Sequence, residues 1–263
     1  MDHSSIRSQM PTLVGPFVPR NSRRFKYRIY GDKPEVSILG FPIDPQPFQG
    51  KVIAVTEEAI VIRVKPTEFA VVDRQLATAV PLEGSKVNVI PYARHHFDGR
   101  RADSLTEKTE YLTDGTPYIV RSGILGDATS KLPLPEPKCP ELADLIEQLE
   151  KLPAPDGFRR IAHLLVDAGA HDFSMVDPEP DDIIRTPPAI TFTVATSNFS
   201  GQVTLSYDRG ADVYVIELHC NGQTVTKFDE VYFDCLGSTL EQLIDEGHWR
   251  RIQIEVLSKV AVP

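Results

Sequence analysis

The sequence predicts an α+β chain in two parts: a small antiparallel, barrel-like N-terminal β domain, then a C-terminal domain with a mainly antiparallel sheet and about three helices. Three observations predict this. Short runs rich in Val and Ile, separated by tight turns, crowd residues 48–101. Apolar residues at helical spacing dominate the stretch that begins near residue 141. Between them lies KLPLPEPKCP (131–140), which reads as a Pro-rich linker.

Taken in order, residues 1–23 have no sustained period and contain Pro11, Pro16 and Pro19, so a mobile basic arm is expected. Residues 24–130 form the expected β-rich domain. Phe25, Tyr27 and Ile29, then Val36 and Ile38, alternate with polar neighbours about the turn at 31–34. The segment FPIDPQPF (41–48) must be extended, because each proline fixes φ and biases its predecessor away from helix. Val52, Ala54 and Val55 make one strand; Ile60, Ile62 and Val64 make the next, across a turn at Thr56-Glu57-Glu58. Phe69 to Val72 and Val87 with Val89 supply two more, the last after Glu83-Gly84-Ser85. Closure into a barrel would remove the edges that so short a sheet exposes. TEYLTDGTPYIV (109–120) is a hairpin across Asp114-Gly115.

Residues 141–263 form the expected acidic α+β domain. A helix over 141–152 buries Leu142, Leu145, Ile146 and Leu149. A second over 156–168 has Asp156 as N-cap and Gly169 as its stop. Strands follow at 190–195, 203–207 and 213–218, and Asn221-Gly222 turns the chain into another at 224–228. A helix over 229–246, interrupted near Gly237, precedes a last strand at 251–257. Tyr232, Phe233 and Trp249 lie in or beside that helix and are expected in the core.

No apolar run approaches the roughly 18 residues that cross a bilayer. The N-terminal stretch lacks the unbroken apolar centre of a secretory signal, and its prolines oppose the helix of a transit peptide. A cytoplasmic protein is expected, with no membrane partner. The cysteines, Cys139, Cys220 and Cys235, are odd in number and irregularly spaced, which suits reduced, mostly buried thiols.

The net charge of −9 hides an asymmetry. Residues 139–263 hold 9 Lys+Arg against 21 Asp+Glu, and residues 1–138 hold 19 against 16. The front half suits an anionic partner and the back half a basic one. The densest basic segment is Tyr92-Ala93-Arg94-His95-His96-Phe97-Asp98-Gly99-Arg100-Arg101. Arg94, Arg100 and Arg101, supported by Arg23, Arg24 and Lys26, are the candidate phosphate partners of a nucleic acid, with Tyr92 and Phe97 for stacking. The plainer reading is a solvated loop paired with the acidic half. His95, His96 and Asp98 are chemically apt metal ligands. Neighbouring strand residues face opposite ways, however, and the flanking arginines repel a cation, so no metal and no cofactor is expected. His163 and His171, with Asp167 and Asp172, are weighed as an acid–base pair against dipole compensation at a helix C-terminus. Asp177, Glu179, Asp181 and Asp182 read as a solvated acidic loop. No GxxxxGK[ST], GxGxxG or GxSxG occurs, which removes the usual support for nucleotide-dependent and serine-hydrolase chemistry.

GKVIAVTEEAIVIRV…FAVVDR…VPLEGSKVNVIPY resembles the KfrB-type small β domain. The shared features are Gly50-Lys51-Val52 opening a strand, Val72-Asp73-Arg74, and Gly84 ahead of Val87 and Val89. The resemblance spans residues 48–101, and Lys65-Pro66-Thr67 stands where that domain usually has a glycine-bearing turn. It implies an accessory role on a plasmid or an integrative conjugative element and carries no catalytic residue. The expected function is thus non-enzymatic: the N-terminal domain contacts nucleic acid or a nucleoprotein complex. The alternatives are a protein–protein factor (anti-defence, immunity or regulatory) acting through its acidic domain, and a metal-dependent hydrolase using His95, His96 and Asp98.

Overall fold

The computed structural model describes residues 1–22, 24–32, 34–122 and 129–258. In chain order its elements are α1 (His3–Val14), β1 (Lys26–Tyr30), β2 (Phe48–Val55), β3 (Ala59–Lys65), β4 (Glu68–Asp73), β5 (Lys86–Ile90), β6 (Thr106–Tyr111), β7 (Pro117–Ser122), α2 (Pro140–Lys151), α3 (Ile161–Asp167), β8 (His171–Val176), β9 (Ala189–Ala195), β10 (Ser200–Asp208), β11 (Val213–Cys220), β12 (Gln223–Val231), α4 (Leu236–Ile244) and β13 (Gln253–Ser258). The class is α+β, as expected. The division is not the expected one. One compact unit is Met1–Ala93 with Trp249–Pro263, and the other is Arg94–His248.

The first unit is a six-stranded sheet in the order β1-β4-β3-β2-β5-β13, parallel only between β1 and β4. Among the described residues none of the sheets closes into a barrel, which corrects the expected architecture. The edges are instead kept short: β1 has five residues, two of them the exposed cations Lys26 and Arg28, and β13 has six. One face of the sheet is covered by α1. Residues 3–14 are not a mobile arm but a helix that starts at Asp2, whose carboxylate accepts the Ser4 N–H at 2.9 Å. Ile6, Met10 and Val14, four residues apart, are fully buried against Ile53, Val61, Phe69 and Val71. That burial outweighs the hydrogen bond lost at Pro11. On the opposite face Val52, Ile60, Ile62, Val72, Val87 and Val89 pack with Ile252 and Ile254 from the chain's far end. Burial on both faces explains why 59–62 and 69–72 read as continuous apolar runs rather than alternating ones. Gly50 is required on β2: a Cβ there would lie 2.5 Å from the Ile62 side chain and 2.6 Å from the Arg63 carbonyl oxygen. The expected strand at 36–38 is reduced to a single bridge between Val36 and Pro42.

The second unit is a five-stranded antiparallel sheet, β12-β11-β10-β9-β8, with α2, α3, α4 and the separate β6–β7 hairpin. One face of the sheet gives Ile190, Phe192, Val194, Val203, Leu205, Ile216 and Leu218 to a core shared with Leu145 and Leu149 of α2, Leu164 of α3 and Leu240 of α4. The strand residues between them are half-buried and polar, and the hydroxyls of Thr191 and Thr204 meet at 3.0 Å. Asn221 and Gly222, at φ 51° and 77°, make the turn that this dipeptide favours. Residues 131–140 are no linker: Leu132 and Cys139 are buried in this core, and the Leu132 N–H donates to Glu150 Oε1 at 3.0 Å. α3 begins five residues later than expected, because Asp156 instead accepts the N–H groups of Phe158 and Arg159, both at 2.8 Å. α4 begins at Leu236, since 229–231 continue β12. The last strand, β13, pairs with β5 in the first unit rather than joining the second sheet. No helix among the described residues is long and apolar enough to cross a membrane.

Candidate functional site

The seams of the fold sharpen the charge asymmetry. Residues 1–93 with 249–263 hold 15 Lys+Arg against 10 Asp+Glu, and residues 94–248 hold 13 against 27. The units carry +5 and −14, and are called basic and acidic below.

The predicted basic segment is split by the same seam. Tyr92 belongs to the basic unit, where its ring meets Trp249 edge-on at 4.8 Å. Arg94 onward belongs to the acidic unit. Arg94 is 4% exposed, its guanidinium lies 4.6 Å from the Phe158 ring centre, and Nη1 donates to the Phe158 carbonyl at 3.3 Å. Phe97 packs edge-on against Phe173 at 5.1 Å and is no open stacking platform. Residues 96–100 form a tight turn: the His96 N–H donates to the Arg100 carbonyl at 2.8 Å, and Asp98 accepts Arg100 Nε at 2.7 Å. The backbone N–H and guanidinium of Arg100 hold the Asp98 carboxyl below its ordinary value. Arg101 forks onto Asp103 with two contacts of 2.8 Å. His95 faces Arg101 across an isolated bridge, and His96, Asp98 and Arg100 line a cavity of about 420 Å³ with Lys131. Among the described residues no three His, Cys, Asp or Glu gather to hold a metal ion.

The other predicted contacts lie on the basic unit. Arg23 lies outside the described residues. Arg24 and Lys26 are exposed at the start of the edge strand β1. Strand alternation sends Tyr27 and Ile29 into the core and leaves Lys26 and Arg28 in solvent. Arg28 also lines a groove of about 430 Å³ with Arg7, His3 and Tyr27. Among the described residues Arg7, Arg20, Arg24 and Lys26 are in no ion pair, so the cations are available to an anion.

In the acidic unit some charges are structural. The side chain of Arg159 is fully buried and donates to Asp156 at 2.9 Å, Asp167 at 2.8 Å and Asp245 at 2.5 Å. Burial works to lower its pKa, but the carboxylates outweigh it and the net shift is upward. This arginine ties the loop before α3 to the ends of α3 and α4. Nothing in the sequence marked it, because its partners lie 3, 8 and 86 residues away. His163 is buried in the first turn of α3, where Nδ1 accepts the Arg160 N–H at 3.0 Å, so it compensates no helix C-terminus. His171 is exposed on β8. Of the acidic loop, Asp182 accepts from Arg185 and Thr186, and Asp177 is likewise engaged. It accepts the N–H groups of Lys138 and Cys139, both at 2.9 Å, at the start of α2. Of the thiols only Cys139 is buried, and Cys235 is exposed.

The aromatic residues after β12 also differ from expectation. Tyr232 and Phe233 are not core residues: they are 56% and 63% exposed in the turn after β12. With Tyr207, Tyr214, Glu141, Asp144, Gln148 and Asp212 they line a groove of about 450 Å³. The chain was compared with family models, with curated proteins and with solved structures, and none matches it.

Proposed function

We propose that the chain is a non-enzymatic binding protein with two partners of opposite charge. The basic unit meets an anionic polymer, a nucleic acid or nucleoprotein, and the acidic unit meets a basic protein. The observation that carries this reading is the change of sign at the seam of the fold, from +5 to −14. The cytoplasmic setting and the accessory role on a plasmid or conjugative element, which the KfrB-type resemblance implies, belong to the same proposal. The contacts assigned to nucleic acid are Arg24, Lys26 and Arg28, with Arg7 in the adjoining groove. Arg94 and Arg101 serve less well, since one is buried on Phe158 and the other is forked onto Asp103.

Filter binding of the full chain to labelled single-stranded DNA over a salt series tests this half. Affinity should fall with salt, and Arg24→Ala with Lys26→Ala and Arg28→Ala should flatten the slope by roughly 2. A flat salt response, or an unchanged slope in the triple variant, overturns it. A second reading, a protein–protein factor without nucleic acid, is favoured by the engaged state of Arg94, Arg100 and Arg101. It gains if DNA binding is absent while a basic partner is still bound.

A further inference from the structure

The groove on the acidic unit has a lining that its register builds. Tyr207 on β10 stands directly opposite Tyr214 on β11, with ring centres 5.7 Å apart. Tyr214 in turn faces Val231 on β12, so the next two residues, Tyr232 and Phe233, continue the aromatic row into the turn. The facing wall is one stripe of α2: Glu141, Asp144 and Gln148 recur at helical spacing. Two aromatic rings are held in place by their hydroxyls. Tyr214 donates to Gln148 Oε1 at 2.6 Å, and Tyr207 donates to Asp212 Oδ1 at 2.7 Å. That second bond pushes the Tyr207 hydroxyl up to about 12, so the ring stays neutral. At the rim, Arg209 Nη1 already rests 3.1 Å from Glu141 Oε1. Asp144 is exposed and, among the described residues, in no ion pair.

Four aromatic side chains beside three carboxylates, in a concave site, are the chemistry that binds an organic cation. The negative faces of the rings attract it, and the carboxylates neutralise it. We propose that this groove receives an arginine side chain from a basic segment of a partner protein, stacked on Tyr232 or Phe233 with its fork on Asp144. Arginine fits better than lysine because a planar guanidinium stacks on a ring and bonds a carboxylate through two N–H groups at once. The charge of −14 on the unit supplies the complementary field that draws a basic segment in. This inference rests on the reading of the acidic unit as the docking site of a basic protein.

The test is fluorescence anisotropy of fluorescein-labelled octa-arginine and octa-lysine with the full chain at two salt concentrations. Octa-arginine should bind more tightly than octa-lysine. Tyr232→Ala with Phe233→Ala, both exposed and neutral, should weaken octa-arginine about tenfold. Asp144→Asn should weaken it about threefold. Glu179→Gln with Asp181→Asn, which removes two charges outside the groove, should change it less than twofold. Wild-type binding that is equal in all these variants overturns the groove but leaves the docking reading standing. Equal affinity for the two peptides overturns the assignment to arginine. No binding of either peptide by the wild type overturns both the groove and the reading on which it rests.

Discussion

The basic unit covers its sheet on both faces, with α1 on one side and Ile252 and Ile254 among the packing residues on the other. The acidic unit covers one face with helices and leaves a Thr-rich face on the other. Charge follows the same difference. In the basic unit Arg7, Arg20, Arg24 and Lys26 stand outside the core, where each costs little and adds to an outward field. In the acidic unit Arg94 and Arg159 are drawn inside, and the guanidinium of Arg159 has three carboxylates in hydrogen-bond contact and a fourth, Glu241, at 3.8 Å. Excess negative charge therefore has two uses there: part of it holds the fold, and the remainder faces solvent. A count of charges along the chain merges these uses, and only their geometry separates them.

The largest expected effect breaks the buried arginine. Arg159→Met should cost about 3–5 kcal/mol, because the carboxylates gathered around it lose the cation that balances them. Urea unfolding followed by far-UV circular dichroism measures the loss. Trp249, the single tryptophan, lies in the basic unit and reports on it by fluorescence. If the fluorescence transition falls as far, the two units unfold as one body and the contrast between them has no thermodynamic meaning.

The next effect lies in the basic unit. Met10 is fully buried, and Met10→Ala should cost about 2–4 kcal/mol, with the Trp249 transition moving. A cost below about 0.5 kcal/mol is that of a surface residue, and would return residues 1–14 to the status of an arm.

The smallest concerns acid. The Asp177 carboxyl is held down by the N–H groups of Lys138 and Cys139. For Asp156, burial works upward, but hydrogen bonds from Arg159 and Phe158 outweigh it and the net shift is downward. Both folded values lie below the ordinary 3.8, so the unfolded chain takes up protons first. Their stabilisation is complete above about pH 5 and is lost as pH falls through the folded values. Asp177→Ala should cost about 1 kcal/mol at neutral pH, as other lost helix caps do. The variant and wild type should converge as pH falls through the folded value; a gap that persists in stronger acid would show that packing, not charge, is what Asp177 supplies.

Much of the local structure was legible. The turn at 56–58, the hairpins at Asp114-Gly115 and Asn221-Gly222, and the apolar stripe of α2 all depend on residues within a few positions of one another. The candidate site was less legible. Arg94, Arg100 and Arg101 are conspicuous in sequence, yet each has company: Phe158, Asp98 and Asp103. Tyr232 and Phe233 look like helix core in the sequence because the strand β12 hides its length. Its residues 223–230 are mostly exposed and polar, so no alternation marks where it stops.

Thus residue order alone determined the short-range features, whose energies are settled by side chains a turn or a strand pair apart: the α+β class, most strands, the tight turns and the sign of charge along the chain. Tertiary structure decided that a proline-bearing segment becomes α1, that β13 pairs with β5, that the sheet stays open, and that Arg159 goes inside. Each of these depends on partners remote in sequence. A buried methionine face or a carboxylate cage has no stabilising value until the chain has brought those partners together, and so leaves no local mark.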